Sequence, residues 1–204
     1  MRHIPENNTH DQAVLSFRAA LSEALAPSPD YDSSEWLYVP NHYCDYRYIL
    51  GTRGERPIIC AGINPSTAAP GRLDRTLQSV ERIGRTNGYD SFMMFNIYPQ
   101  RATVPDHMES EGNLYLHEQN MEAFQYLLQQ SHEPAVWAAW GTIIEKRPYL
   151  IRALRDFIKL GAQYGARWYH TGPLSKKGHP HHPLYLRSDT ALEAFDIDTY
   201  LRAL

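Results

Sequence analysis

The stretch PIICAGINPSTA, residues 57–68, decides the fold of this chain. Its first half is a short apolar run, which is typical of a strand buried on both faces of a sheet. The run passes through a glycine into Asn64 and Pro65, which favour a turn. Because Ser66 and Thr67 follow at once, this turn carries more hydrogen-bonding side chains than a chain reversal requires. We therefore predict a polar binding site at the end of the strand.

Apolar strand patterns alternate with helical patterns along the rest of the chain. Strands are predicted over 57–62, 91–99, 134–141 and 166–172, and helices over 11–26, 74–87, 113–130, 143–161 and 189–203. This alternation is typical of βαβ units, which build a parallel sheet covered by helices on both faces. The predicted fold is therefore a three-layer α/β/α sandwich with a central, mostly parallel sheet. We expect residues 1–30 to form an N-terminal helical extension and residues 31–204 to form a single α/β domain.

A second strand pattern, YRYILG at 46–51, precedes the first. The residues between the two patterns, Gly51-Thr52-Arg53-Gly54, favour a turn. The sequence at this point predicts a β-hairpin that joins the two strands as neighbours.

Composition and charge narrow the class of protein. The chain has 204 residues, a net charge of −3 and two cysteines, Cys44 and Cys60. We expect both to be reduced thiols of a cytoplasmic protein. Residues 1–12 are polar and lack the pattern of a signal peptide, and no apolar run is long enough to span a membrane. Basic residues are concentrated in 141–188, which indicates either a face that binds phosphate groups or a solvated helix surface.

Two asparagines stand at or just after predicted strand ends. Asn64 follows the strand that ends at 62, and Asn96 lies near the end of the next one. Ligands of such sheets bind beyond the carboxyl ends of the strands, so we expect both amides at one edge. A carboxamide offers a donor and an acceptor in one plane, which suits the edge of a nucleobase. Alternatively, each asparagine is a turn residue that binds its own backbone.

Three further residues near the strand ends have two interpretations each. Ser66 and Thr67 are candidates for binding phosphate, or they cap the local backbone. Asp74 begins the predicted helix at 74–87, where an N-cap carboxylate is expected. The alternative is that Asp74 orients an attacking water molecule.

The segment HPHHP, residues 179–183, raises the question of a metal site. Adjacent histidines beside prolines rarely converge on one ion, and no cysteine or acidic residue lies next to them. We therefore predict no metal and no cofactor. A histidine in this segment, beside Lys176 and Lys177, fits better as a hydrogen-bond donor to a developing anion.

The order of these motifs resembles the uracil-DNA glycosylase superfamily, especially its mismatch-specific branch. The matching elements are Gly62-Ile63-Asn64-Pro65, the segment FNIYPQRAT from 95 to 103, Trp140-Gly141 and His182-Pro183-Leu184. The chain is also similar to a bacterial and phage family, domain of unknown function 1643, from about residue 44 to residue 187. The hallmarks of that family are Asn-Pro-Ser-Thr-Ala, Asp-x-Thr, Trp-Gly and His-Pro-Leu-Tyr.

The glycosylase resemblance implies a glycosylase-like enzyme that hydrolyses the N-glycosidic bond of a flipped base. Asn64, Asp74 and His182 would be catalytic. The implied base-binding residues are Asn96, Ile63, Pro65 and Tyr98, and the implied phosphate-binding residues are Ser66, Thr67, Arg101, Lys176 and Lys177. The partner would be DNA or a nucleotide, with no membrane, and the protein would be a monomer. A non-catalytic nucleotide-binding or nucleic-acid-binding module and a small-molecule hydrolase are the alternatives.

Overall fold

The computed structural model describes residues 2–6 and 8–204, apart from the side chain of Tyr185. These residues form an α/β fold with one mixed β-sheet of seven strands. The strand order is β1-β2-β4-β3-β5-β6-β7. The strands are β1 Trp36–Val39, β2 Ile49–Thr52, β3 Pro57–Gly62, β4 Ser91–Asn96, β5 Ala135–Ala138, β6 Arg167–Thr171 and β7 Leu192–Ala194. The four central strands, β4-β3-β5-β6, are parallel, whereas β1, β2 and β7 pair antiparallel. The prediction of parallel strands is confirmed for the centre of the sheet, whereas both edges are antiparallel.

The helices are α1 Phe17–Ala24, α2 Arg75–Thr86, α3 Leu114–Leu128, α4 Pro148–Gln163 and α5 Ile197–Ala203. Short 3-10 turns occur at Thr9–Asp11, Pro105–His107, Gly141–Lys146 and Pro183–Tyr185. The predicted helix at 143–161 begins later than expected because Pro148 constrains the residue before it. Arg147 is extended, with φ −137° and ψ 134°, so the helix starts at the proline itself.

Successive residues of the central strands enter two separate cores. Ile59 and Ala61 belong to a core shared with α1, α3 and α4. Ile58 and Cys60 belong to a second core, which α2 covers. Since side chains alternate across a strand, this division shows that helices pack on both faces of the sheet. It also explains the unbroken apolar run of β3, which has no solvated face.

The predicted hairpin between 46–51 and 57–62 is wrong. β2 and β3 do not pair, because β4 lies between them and pairs antiparallel with β2 and parallel with β3. As a buried central strand, β3 takes β4 and β5 as its two neighbours, which leaves no free edge for β2. The connection 53–56 crosses the start of β4 instead, where the backbone amides of Glu55 and Arg56 donate to the Asp90 carboxylate.

The structure near both ends of the chain differs from the helices predicted over 11–26 and 189–203. The predicted helix at 189–203 contains β7 and the shorter α5, because Phe195 is buried beside α5 and its amide donates to Trp168 O of β6. Strand β1 was not predicted.

In the N-terminal segment, α1 is shorter than 11–26, and its Phe17, Ala20 and Ala24 enter the core of the sheet. The proposed boundary near residue 30 stays a prediction. Among the described residues, no helix is long and apolar enough to cross a membrane.

Candidate functional site

A cavity of about 440 Å³ opens at the carboxyl ends of β3 and β4. This is the edge at which α/β sheets bind ligands. The predicted site residues that line it are Ile63, Asn64, Pro65, Ser66, Thr67, Asp74, Asn96 and His182. Residues from four separate chain segments therefore meet at one place.

The segment after β3 is held by the segment after β4. The amide of Ile97 donates to Gly62 O at 2.9 Å, and the amide of Tyr98 donates to Ile63 O at 2.8 Å. The amide of Ala102 donates to Pro65 O at 2.9 Å. The parallel pairing of the two strands thus continues past their ends. This pairing fixes the backbone that forms one wall of the cavity.

Asn64 contributes to the same contact between the two segments. Its Nδ2 donates to Ala102 O at 2.7 Å and to Pro65 O at 3.1 Å. The expected turn role is therefore present in the structure. Among the described residues, no hydrogen bond engages Oδ1 of Asn64, so this oxygen is available as an acceptor at the cavity wall.

Asn96 presents the most unusual polar group of the cavity. The residue is 1% exposed, and both Nδ2 and Oδ1 are buried with no hydrogen-bond partner among the described residues. Gly62 lies directly beside this carboxamide, since a Cβ on Gly62 would stand 3.0 Å from Asn96 Oδ1 and 2.5 Å from Met94 Cε. The glycine of the opening stretch therefore provides space for the Asn96 amide. An unpaired buried amide costs about 1–3 kcal/mol, so a complementary ligand would relieve it.

His182 reaches the cavity from the loop before the turn Pro183–Tyr185. Its Nδ1 accepts a hydrogen bond from the backbone amide of Leu184 at 3.3 Å. In the neutral ring, the proton therefore resides on Nε2, which is then a donor. Burial lowers the pKa of His182 from 6.5, and the nearby Asp74 carboxylate partly opposes this effect. The imidazole is therefore neutral at pH 7 and suited to donating a hydrogen bond.

Trp140 and Gly141 lie next to the loop that carries His179 and His182. Gly141 has φ +61°, and a Cβ at this position would lie 3.7 Å from His182 Cβ. Trp140 Nε1 donates to the Tyr200 hydroxyl at 2.9 Å, and that hydroxyl lies 2.8 Å from His179 Nδ1. His179 is thus a buried anchor of the loop, whereas His181 is exposed and lines none of the described cavities.

Asp74 has the predicted N-cap geometry of α2. Its Oδ1 accepts from the amide of Leu77 at 3.0 Å. α2 also packs against the turn Pro183–Tyr185, which brings the start of the helix and His182 to the same cavity. The cap uses one carboxylate oxygen, and no described hydrogen bond engages the other.

The structure places four predicted residues outside the cavity lining. Tyr98 is 1% exposed, and its hydroxyl donates to the buried Glu109 carboxylate. Arg101 is fully buried and donates to Ser66 O, to Ala68 O at 3.2 Å and to the Tyr38 hydroxyl. Lys177 forms an exposed ion pair with Glu145 at 2.9 Å, and Lys176 is exposed on the same turn. Tyr98 and Arg101 are buried because the segment after β4 continues the strand pairing and directs both side chains into the protein interior.

Arg47 is a buried charged residue of the cavity that was not predicted from the sequence. It precedes β2, is 1% exposed, and donates through one terminal nitrogen to Ala68 O at 3.2 Å. Its Nε is buried without a partner among the described residues. The only sequence signal was an arginine inside an otherwise apolar strand pattern.

Two further cavities adjoin the first one. One of about 410 Å³ shares Thr67 and Asp74 with it, and a third of about 400 Å³ shares Tyr43 and Arg72 with the second. Tyr43 is 44% exposed, and the guanidinium of Arg101 lies 4.1 Å from its ring centroid. A groove with an exposed aromatic ring therefore leads away from the strand ends.

The described residues contain no group of three or more histidine, cysteine, aspartate or glutamate side chains placed to hold a metal ion. His182 has its Nδ1 committed to the Leu184 amide, and His179 has its Nδ1 committed to Tyr200.

The fold and the cavity define a class: an α/β protein whose cavity at the carboxyl ends of parallel strands is lined by both polar and apolar side chains. The chain belongs to the family described as Protein of unknown function (DUF1643), whose family model matches residues 47–184. That range begins at Arg47 and ends at Leu184, and both residues line the cavity. Comparison with curated proteins gave no significant match, and neither did comparison with solved structures.

Proposed function

We propose that the cavity binds the nucleobase of a nucleotide or of DNA and hydrolyses its N-glycosidic bond. The observation that carries this proposal is the buried, unpaired carboxamide of Asn96, which lines the same cavity as His182 and Asn64. A site with an unpaired donor and an unpaired acceptor selects a ligand that offers both in one plane, as the edge of a base does. In duplex DNA the base would have to leave the stack to reach this cavity.

The three polar side chains of the cavity have separate roles in the proposed reaction. The bond between sugar C1′ and the base nitrogen breaks, and its electron pair remains on the base. His182 Nε2–H donates to the resulting base anion. Water oxygen forms the new bond to C1′ while Asn64 Oδ1 and the free oxygen of Asp74 orient the water. One water proton ends on the released base, so the products are the base and a sugar hydroxyl.

The proposed activity agrees with the assignment to a uracil-DNA glycosylase-like three-layer sandwich, which we also propose. The support consists of the motif order in the sequence, the helices on both faces of the sheet, and a cavity at the strand ends. Ser66 stands where the mismatch-specific branch has glycine. Its Oγ lies 3.0 Å from Thr103 Oγ1, so it ties the two cavity segments together.

DNA or a nucleotide is the proposed partner because the groove beyond Asp74 offers both charge and an aromatic surface. Arg72 and Arg75 supply cations, and Tyr43 supplies an exposed ring on which a base could stack. Lys176 and Lys177 remain candidates for phosphate contacts outside the cavity. Fluorescence-polarisation titration against single-stranded and double-stranded DNA would reveal which form binds.

A non-catalytic nucleotide-binding module is the second candidate function. It is favoured by the fact that the Asn64 amide and one Asp74 oxygen are already committed to structural hydrogen bonds. The experiment that separates the two candidates is a product assay on oligonucleotides containing uracil, hypoxanthine or mismatched bases. Hydrolysis predicts free base and an abasic sugar, whereas a binding module predicts affinity without either product.

Substitutions at Asp74 separate its capping role from a chemical role. Asp74→Asn keeps an N-cap side chain, so the free energy of unfolding should change by only a few tenths of a kcal/mol. Asp74→Ala removes the cap and should lower that free energy by about 1 kcal/mol. If Asp74 orients water, both variants should lose base release to a similar extent. Retained activity in Asp74→Asn would mean that Asp74 only caps α2.

The lowered pKa of His182 predicts a pH dependence of stability. The unfolded chain binds the proton at a pKa near 6.5, while the folded protein binds it at a lower pH. The folded state is therefore penalised as the pH falls below about 6.5, and this penalty is absent above that range. Urea unfolding at pH 7.5 and pH 5.5 should show a larger loss of stability in the wild type than in His182→Gln. Equal losses in the two proteins would show that the pKa of His182 is not lowered.

A further inference from the structure

Two buried arginines meet beneath the loop that follows β3. Arg47 is 1% exposed and Arg101 is fully buried, and both donate to the same carbonyl oxygen, Ala68 O, at 3.2 Å. In the part of the chain that the structure describes, no carboxylate lies within ion-pair distance of either guanidinium. The Nε atoms of both are buried without a hydrogen-bond partner there. Burial and the charge of Arg101 lower the pKa of Arg47 to about 9.

The hydrogen bonds that hold this loop do not by themselves explain why Arg47 and Arg101 are both buried. One backbone carbonyl shared between two cations leaves donors unpaired, and each unpaired donor costs about 1–3 kcal/mol. Replacing buried charges by apolar side chains of similar volume is often neutral or stabilising, so a methionine would hold the loop at lower cost. Arg101 has further partners in Ser66 O and the Tyr38 hydroxyl. Arg47 has only Ala68 O among the described acceptors, and it lines the cavity.

The surroundings of Arg47 fit an anion with several acceptor oxygens. Arginine presents a planar fork of donors that matches phosphate oxygens, and it is weakly enough hydrated to serve in a buried site. Arg75 lines the same cavity, and the neighbouring Arg101 adds positive potential from behind. Ser66 and Thr67, at the rim, add hydroxyl donors. Asp74 is the carboxylate that faces this group, and its charge partly offsets that of Arg47.

We propose that Arg47, with Arg101 behind it, forms a phosphate-binding subsite in the floor of the cavity. The ligand is then a phosphate-bearing nucleotide, free or within a strand, rather than a free nucleoside. The step from phosphate to nucleotide rests on the proposed function, whereas phosphate binding does not. Phosphate would supply the acceptors that the buried guanidinium lacks.

The test begins with inorganic phosphate and the full-length wild-type protein. Calorimetric titration and thermal unfolding at matched ionic strength should show saturable binding and a raised Tm, relative to chloride. Arg47→Met should weaken phosphate binding about 30-fold or more. The matched control is Arg56→Met, which removes an arginine that packs on Tyr89 near the amino ends of the strands. This control should bind phosphate as the wild type does.

A second variant and a second ligand keep the result decisive. If Arg47→Met does not fold, Arg47→Lys keeps the charge but loses the fork, and it should still bind phosphate several-fold more weakly. A nucleoside monophosphate and a short oligonucleotide show whether the phosphate comes from a free nucleotide or from a strand. Absence of phosphate binding in the wild type, or equal binding in Arg47→Met, overturns the subsite. Phosphate binding that depends on Arg47, without base release from any substrate, upholds the subsite and contradicts the proposed hydrolysis.

Discussion

Replacing His182 by alanine is expected to slow base release by about a hundredfold or more. The structure locks Nδ1 of His182 as the acceptor of the Leu184 amide, so the neutral ring donates only through Nε2. In the proposed reaction that donor faces the negative charge that develops on the departing base. Loss of one such donor in comparable sites costs about 2.7–4 kcal/mol of transition-state stabilisation. The measurement is the single-turnover rate of base release, with the folded fraction checked by circular dichroism.

The two neighbouring histidines supply the controls for this substitution. His181 is exposed and lies outside the cavity, so His181→Ala should leave the rate nearly unchanged. His179 is 2% exposed and contacts the Tyr200 hydroxyl, so His179→Ala should mainly lower Tm and affect the rate far less at permissive temperature. A rate for His182→Ala within threefold of the wild type would remove His182 from the proposed chemistry.

Replacing Asn96 by leucine is expected to affect stability and binding in opposite directions. Leucine branches at the same carbon as asparagine but carries no donor or acceptor. Removing two unpaired buried polar atoms should stabilise the ligand-free protein by about 1–3 kcal/mol. The same change removes the paired contact to a base edge, worth about 1–3 kcal/mol of recognition. Urea unfolding and ligand titration on the same preparation measure the two effects.

Asn120→Leu is the matched control for Asn96→Leu. Asn120 is also buried, and its Oδ1 likewise has no partner among the described residues, but its Nδ2 donates to Asn96 O at 2.8 Å and to Ile97 O at 3.4 Å. Its replacement leaves a buried carbonyl unpaired and should destabilise the protein by about 1 kcal/mol. If Asn96→Leu is destabilised as much as Asn120→Leu, the side-chain amide of Asn96 has hydrogen-bond partners within the ligand-free protein. It would then not be an unpaired group that a ligand satisfies.

The strand ends of the central sheet, and with them the location of the cavity, could be predicted from the sequence. The apolar runs predicted over 57–62, 91–99 and 134–141 contain β3, β4 and β5, which end at Gly62, Asn96 and Ala138. Because parallel strands end at one edge, the spacing brings Asn64 and Asn96 together, whereas His182 reaches the cavity on the long loop after β6. The helix cap at Asp74 was also predictable, since its signal is local.

Strand neighbours and the partners of buried side chains could not be predicted in the same way. The pairing of β2 with β4 rather than β3 depends on contacts far apart in sequence. Burial of Arg47 and Arg101 depends on the loop at 63–69 folding over both, which no local pattern records. Tyr98 and Arg101 follow β4 as the motif order implies, but the strand extension directs them away from the cavity lining. Local patterns therefore located the cavity without determining which nearby side chains line it.

Mass spectrometry of reaction products in water enriched in oxygen-18 tests the central claim most directly. The wild type and His182→Ala would be incubated with nucleoside monophosphates and with oligonucleotides that carry normal, deaminated and mismatched bases. Hydrolysis of the N-glycosidic bond predicts a free base without the label and a sugar that carries oxygen-18 at C1′, both strongly reduced in His182→Ala. No released base from any of these substrates, with Asn96-dependent ligand binding intact, would contradict the hydrolase and leave a nucleotide-binding protein.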